Sequence, residues 1–156
     1  MMTVCERIYF DILNLAEAWP SQKVSVLMEH LGRHVIIELW GCSEVINDAG
    51  YVERAMRNAV DAANATLLDI FVHEFSPQGV TGVAVLAESH LSIHTWPEYG
   101  YVAADVFTCG STTKPEAAAE VLRQSFEATE AEVRELERGV KPKSGRPAPP
   151  RSFAKV

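Results

Sequence analysis

Val80-Thr81-Gly82-Val83-Ala84-Val85-Leu86-Ala87, then Glu88-Ser89, then His90-Leu91-Ser92-Ile93-His94-Thr95-Trp96 is the stretch that decides the fold. The first run is almost wholly small or apolar and reads as a strand, expected near the centre of a sheet. The second alternates, with Leu91, Ile93 and Thr95 on one side and His90, Ser92 and His94 on the other, the period of a half-buried strand. Two residues between two strands leave room only for a tight connection. Pro97 to Gly100 turns the chain again, and Tyr101 to Thr108 reads as a third consecutive strand.

Working outward, Val35-Ile36-Ile37-Glu38-Leu39 is β-branched and reads as a strand over 34–39, ending at Gly41-Cys42. Asn47-Asp48 supplies cap residues for a helix to about residue 65, in which Val52, Ala55, Met56, Val60 and Ala63 form one apolar face. Leu67 to Phe75 is a strand and Pro77-Gln78-Gly79 a turn. Lys114-Pro115 opens a helix to about residue 127, and Val133 to Glu137 is a last strand. The order β-α-β-β-β-β-α-β predicts an α+β fold: a two-layer α/β sandwich, its sheet mainly antiparallel, with both helices on one face. Three parts are expected: a weakly helical N-terminal extension at 1–30, the catalytic domain at 31–139, and a disordered tail at 140–156 that holds four of the eight prolines.

Charge and composition exclude some functions. The tail carries Lys141, Lys143, Arg146, Arg151 and Lys155 and no acid, so the chain's formal −7 leaves −12 on residues 1–139. A body that acidic repels phosphate backbones and favours a cationic small molecule, so nucleic acid is not the expected partner. No apolar run approaches the ~18 residues that cross a bilayer, and Met1 to Glu6 lacks a basic segment leading into an apolar one. No membrane is expected. Three cysteines (Cys5, Cys42 and Cys109) without paired spacing argue against a disulfide framework and for a cytoplasmic location.

The chemistry-bearing residues crowd between Glu88 and Cys109. At a strained connection, the Ser89 hydroxyl can attack the Glu88 carbonyl and shift the chain from amide to ester. Elimination from the ester leaves a dehydroalanine, and hydrolysis of that gives a pyruvoyl group. An imidazole can both accept and donate a proton, so His94 is a candidate to move protons during the cleavage. On one straight strand Ser89 and His94 face opposite sides, so this reading requires a bend or bulge near Ser89. Cys109 is a candidate proton donor. Each residue also has a plainer reading: Ser89 as a polar turn residue, His94 as a structural strand histidine, Cys109 as a small core residue. A zinc site at His90 and His94, with His34 or His73, is disfavoured because positions i and i+4 on a strand lie over ~13 Å apart. A Cys109/His94 hydrolase lacks an orienting third residue and an oxyanion motif.

These residues also carry a resemblance. Leu31-Gly32-Arg33-His34, Phe75 to Val83, Glu88 to Tyr101, Phe107-Thr108-Cys109-Gly110 and Glu137-Arg138-Gly139 closely resemble the bacterial and archaeal S-adenosylmethionine decarboxylase proenzymes over residues 31–139. The resemblance implies self-cleavage between Glu88 and Ser89, giving chains 1–88 and 89–156, the second headed by a pyruvoyl group. That group would form a Schiff base with S-adenosylmethionine and act as an electron sink, without a metal or pyridoxal phosphate. The product would donate aminopropyl groups for polyamine (spermidine) synthesis. His94 matches the processing histidine, Cys109 the catalytic proton donor, and Thr81 a position where many members have a processing serine. Phe75 matches a residue that stacks on adenine, and Leu91 and Glu98 match positions that contact adenine and ribose. A homodimer of cleaved protomers with shared sites is implied. Two alternatives stand beside it: a pyruvoyl-dependent arginine or ornithine decarboxylase on the same fold, and a family member that does not process and serves as a binding or regulatory subunit.

Overall fold

The alternation read in the sequence becomes a single curved sheet with one closed and one open face. The computed structural model describes residues 30–140. The elements are β1 (Gly32–Trp40), α1 (Ala49–Ala62), β2 (Leu67–Glu74), β3 (Val80–Leu86), β4 (Ser89–Trp96), β5 (Tyr101–Cys109), α2 (Pro115–Ser125) and β6 (Glu130–Arg138), with short 3-10 turns at Glu44–Asn47 and Pro97–Tyr99. The strands run in the order β2-β3-β4-β5-β1-β6, and every neighbouring pair is antiparallel. The expected α+β sandwich is therefore present, with a wholly antiparallel sheet.

The two helices cover the closed face. Asp48 caps α1 by accepting the Tyr51 N–H at 2.8 Å, satisfying one of the donors a helix start leaves open. Val52, Met56, Ala59 and Val60 then pack against Val35, Ile37, Leu39, Leu91, Ile93 and Val102 in one buried cluster. Gly82 lets Met56 approach the sheet closely, because a Cβ at that position would lie 2.5 Å from the Met56 sulfur. Pro115 sits in the first turn of α2, the Lys114 N–H donates to the Ala63 carbonyl, and the Tyr51 hydroxyl donates to the Ser125 carbonyl at 2.8 Å. The helices are thus tied end to end as well as packed.

Two expectations change. β3 is second from the sheet edge, not central, and only its Val80, Gly82, Ala84 and Leu86 side is buried. Val83 and Val85 lie exposed on the open face, so the apolar run reflects two apolar faces, of which the chain itself covers one. β6 is longer than read and exposed throughout, an edge strand rich in Glu and Arg, a composition that discourages edge-to-edge pairing. The readings made for the N-terminal extension and the basic tail fall outside the described residues. Among the described residues no helix is long and apolar enough to cross a membrane.

Candidate active site

Ser89 begins β4 directly after the two-residue loop Ala87-Glu88. Leu86 pairs with Ser89 across the hairpin, and Ser89 pairs with Thr108 of β5 on the other side. Both ladders run without a shift, so no bulge is present. The bend falls on the backbone of Ser89 itself, whose φ is +151°, a region that favours glycine and costs a serine about 1–3 kcal/mol. The loop is gripped from two sides. The Ala87 N–H donates to the Thr66 carbonyl at 2.9 Å, and the Glu88 carboxylate accepts the Thr66 N–H at 3.0 Å. The Glu88 carbonyl, the group Ser89 would attack, accepts the Cys109 N–H at 2.9 Å. A backbone donor on that oxygen stabilises the negative charge that an attack would build there.

Around the Ser89 hydroxyl lies a polar network on the open face. Ser89 Oγ is 3.2 Å from His90 Nδ1. His90 Nε2 is 3.2 Å from Asp105 Oδ2, and His34 Nε2 is 3.0 Å from the same oxygen. Ser92 donates to Asp105 Oδ1, and Arg138 Nη1 lies 2.8 Å from His34 Nδ1. Strand order assembles the set: β5 places Asp105 opposite both Ser92 and Ile36, and β1 carries His34 between Phe107 and Leu136. The Phe107 ring fills the space between the imidazoles, 5.3 Å from His34 and 5.9 Å from His90, with the Arg138 guanidinium 5.6 Å above it. His34, His90 and Asp105 offer ligand atoms within 4.8 Å of one another. The permanent cation of Arg138 already occupies His34 Nδ1 and opposes a dication beside it.

Cys109 lies at the end of β5, next to this network through its main chain. The structure has Cys109 disulfide-bonded, against the reading of the cysteines as unpaired. A sulfur in a disulfide holds no proton, so the donor role belongs to the reduced form. Cys42 is a free thiol, and burial pushes it up to about 11, which keeps it protonated and unreactive at neutral pH.

His94 lies at the other end of β4. Its Nδ1 is hydrogen-bonded to the Thr81 hydroxyl, its cross-strand neighbour. Phe75 stands 5.9 Å from its ring and Trp96 4.1 Å. The aromatic row continues through Tyr101, 5.0 Å from Trp96, to Trp40, 4.1 Å beyond. Tyr101 donates to the Glu38 carboxylate; burial first, and that carboxylate second, push the phenol up to about 12. Glu98, exposed in the 3-10 turn after β4, accepts from Gln78 Nε2 at 2.9 Å.

Of the residues expected in the site, Glu88, Ser89 and Cys109 come together at one end of β4, and Thr81, His94 and Phe75 at the other, with Glu98 in the turn beyond. Five residues at about 3.3 Å each separate Ser89 from His94, roughly 16 Å along the strand. Leu91, expected as a substrate contact, has its side chain 0% exposed in the core beneath the helices, on the face opposite His90 and His94. His90, Asp105, His34 and Arg138 had not been read as a network. The signal available was that His90 and Ser92 share a face of β4 and that Asp105 is the sole charge within β5.

A strained serine after a hairpin turn, a gripped carbonyl before it and the cysteine at the adjoining strand end thus meet at one end of β4. Comparison with known proteins identifies the group. The family model for S-adenosylmethionine decarboxylase matches residues 33–139. An S-adenosylmethionine decarboxylase proenzyme of Thermomicrobium roseum is 57% identical over 114 residues, covering 72% of this chain and 97% of that protein. The proenzyme of Methanococcus maripaludis strain S2 is 52% identical over 114 residues, covering 72% and 93%. The crystal structure of the adenosylmethionine decarboxylase from Aquifex aeolicus VF5 superposes with a TM-score of 0.69 at 33% identity, over 76% of this chain and 98% of that one. The chain belongs to the S-adenosylmethionine decarboxylase family.

Proposed function

We infer that the chain is a proenzyme that cuts itself between Glu88 and Ser89 and then decarboxylates S-adenosylmethionine, supplying the aminopropyl donor for polyamine synthesis. The observation that carries this reading is the Glu88–Ser89 peptide: its carbonyl is held by the Cys109 N–H and its serine sits at φ +151°. Strain raises the ground state of that bond, and the N–H lowers the energy of the oxyanion formed by attack. The residues fit a pyruvoyl group, because serine is the precursor the chemistry needs. Once formed, that group supplies an electron sink for loss of carbon dioxide. The chain's own residues do the rest. Reduced Cys109 delivers a proton to the substrate's α-carbon, a role that suits a cytoplasmic setting. Phe75 offers a face to the adenine and Glu98 a carboxylate to the ribose. The acidic body attracts the sulfonium cation.

The active unit is a homodimer. Ser89 and Cys109 stand some 16 Å from Thr81 and His94 on one chain, so one copy alone does not bring the processing residues together. The open face carries Phe71 at 67% exposed beside exposed Val83 and Val85 of the neighbouring strand, a patch of the kind that marks an interface. Packed open face to open face about a two-fold axis, each copy brings its His94 end to the other's Ser89 end.

The test is intact mass spectrometry of the purified protein. Two chains split before residue 89 are expected, the second reactive to hydrazine, and a Ser89→Ala variant stays whole. A wild type that remains a single chain without a reactive carbonyl ends this reading and favours a binding or regulatory role. Labelled carbon dioxide released from S-adenosylmethionine, and not from arginine or ornithine, decides the substrate.

A further inference from the structure

Hydrogen-bond polarity along the network beside Ser89 can be read from one fixed end. Arg138 has donors and no acceptor and is always protonated. It lies 2.8 Å from His34 Nδ1, so that nitrogen accepts and is bare. His34 therefore carries its proton on Nε2 and donates it to Asp105 Oδ2, 3.0 Å away. The other carboxylate oxygen is taken by the Ser92 hydroxyl. Asp105 accepts from His34 and Ser92, and its carboxylate, 3.2 Å from His90 Nε2, favours the tautomer that carries the proton on that nitrogen. That tautomer leaves Nδ1 bare, and Nδ1 is the atom 3.2 Å from Ser89 Oγ. The Ser89 hydroxyl then points its proton at His90.

We propose that His90 Nδ1 is the base for the first step of self-cleavage, with Asp105, His34 and Arg138 as positioning residues that hold it in the accepting tautomer. This rests on the self-cleaving reading above and divides its proton chemistry between two histidines. In the step assigned to His90, the Oγ–C bond to Glu88 forms as the hydroxyl proton passes to Nδ1. The C–N bond to Ser89 breaks as that proton is returned to the departing nitrogen. The products are an ester and a free amine, with His90 neutral again. His94, distant on the same chain, is left for the later removal of the Ser89 α-proton, which expels the ester carboxylate.

Hydroxylamine, which cleaves esters but not ordinary peptide bonds, separates the two steps. Purified wild type, His90→Ala, His90→Gln, Asp105→Asn and His94→Ala are followed by intact mass with and without hydroxylamine. Both His90 variants are expected to remain whole and insensitive to hydroxylamine, their cleavage slowed about 10²–10⁴-fold, the range for loss of a general base. Added imidazole should restore cleavage in His90→Ala. Asp105→Asn, whose amide can donate to Nε2 and so move the proton to Nδ1, should slow cleavage as well. His94→Ala should accumulate a chain that hydroxylamine splits at residue 89. His90 variants that cleave at the wild-type rate, or that accumulate the ester, overturn the proposal. So does a slow His90→Ala that imidazole fails to rescue while Asp105→Asn cleaves normally, for that pattern describes a structural residue. A wild type that never cleaves defeats the underlying reading instead, which keeps the two failures distinct.

Discussion

The two ends of β4 are built on the same strand from the same kinds of residue, yet they differ in what they can do. At the Ser89 end the polar groups are continuous, running from Arg138 through His34, Asp105 and His90 to the hydroxyl. At the His94 end a single histidine bonds to one hydroxyl, Thr81, and is otherwise walled by rings. The first environment orients protons along a line. The second sets one imidazole among aromatic rings. On one chain neither end is a complete site, and the proposed dimer would join them across the open face.

The largest expected effect tests that division directly. A Ser89→Ala chain and a His94→Ala chain, each inactive alone, are co-expressed with different tags. If the ends are shared across a two-fold axis, a mixed dimer has one intact site, and random pairing should recover about a quarter of wild-type activity. Sites formed within one chain would recover none. Phe71→Glu on the open face should remove activity in the mixture by blocking assembly, measured as a shift to monomer in sedimentation.

Next in size is a change on the closed face, which should spare neither end. Met56 is fully buried and packs over Gly82, behind the strands that carry both Thr81 and Ser89. Met56→Ala should cost about 2–5 kcal/mol of unfolding free energy, read as a lower urea midpoint. It should slow cleavage and substrate turnover only to the extent that the folded fraction falls. A selective loss at one end would show that the helices tune that end.

Much of this division was legible in the chain. Alternation over residues 90–96 put the histidines on one face and Leu91, Ile93 and Thr95 on the other, and the structure keeps that arrangement. The same alternation separates the Leu91 side chain from that of His94, since a strand does not present both to one side. What the chain did not reveal is non-local. β1 inserts between β5 and β6, and only that order brings His34 to Asp105, 71 residues away, and to Arg138, 104 residues away. A tight connection before Ser89 was readable, but the sign of its φ was not. Serine is no common choice for that region, so no local pattern announces it.

A third effect lies at the His94 end alone. Phe75 is half exposed, edge-on to His73 at 4.7 Å and tilted to His94, with an open flank for an adenine. Phe75→Ala should raise KM about 2- to 10-fold, consistent with roughly 0.5–1.5 kcal/mol for a lost ring contact, and leave the rate of chain cleavage unchanged. A matching loss of cleavage would mean that Phe75 holds His94 in place instead of binding ligand.

The smallest effect belongs to the Ser89 end and follows from charge. Arg33 of β1 donates to Glu135 of β6 at 2.5 and 3.0 Å and to Glu116 of α2 at 3.1 Å, a clamp that holds the edge strand bearing Arg138. The hydrogen bond from Arg33, more than its charge, keeps the Glu135 carboxyl below its usual range. A carboxyl depressed in the folded state adds stability above its unfolded value, near 4.5, and that stability is lost as pH falls through the folded value. The pair is largely exposed, so solvent screening limits it to about 0.2–1 kcal/mol. Arg33→Met should therefore lower the urea midpoint slightly at pH 7, and the gap from wild type should close as the pH drops below about 4.5. Amide exchange should rise in β6 and not around His94. Equal exchange at both ends would mean that the clamp serves the whole sheet and that Arg138 is held by the β1–β6 ladder alone.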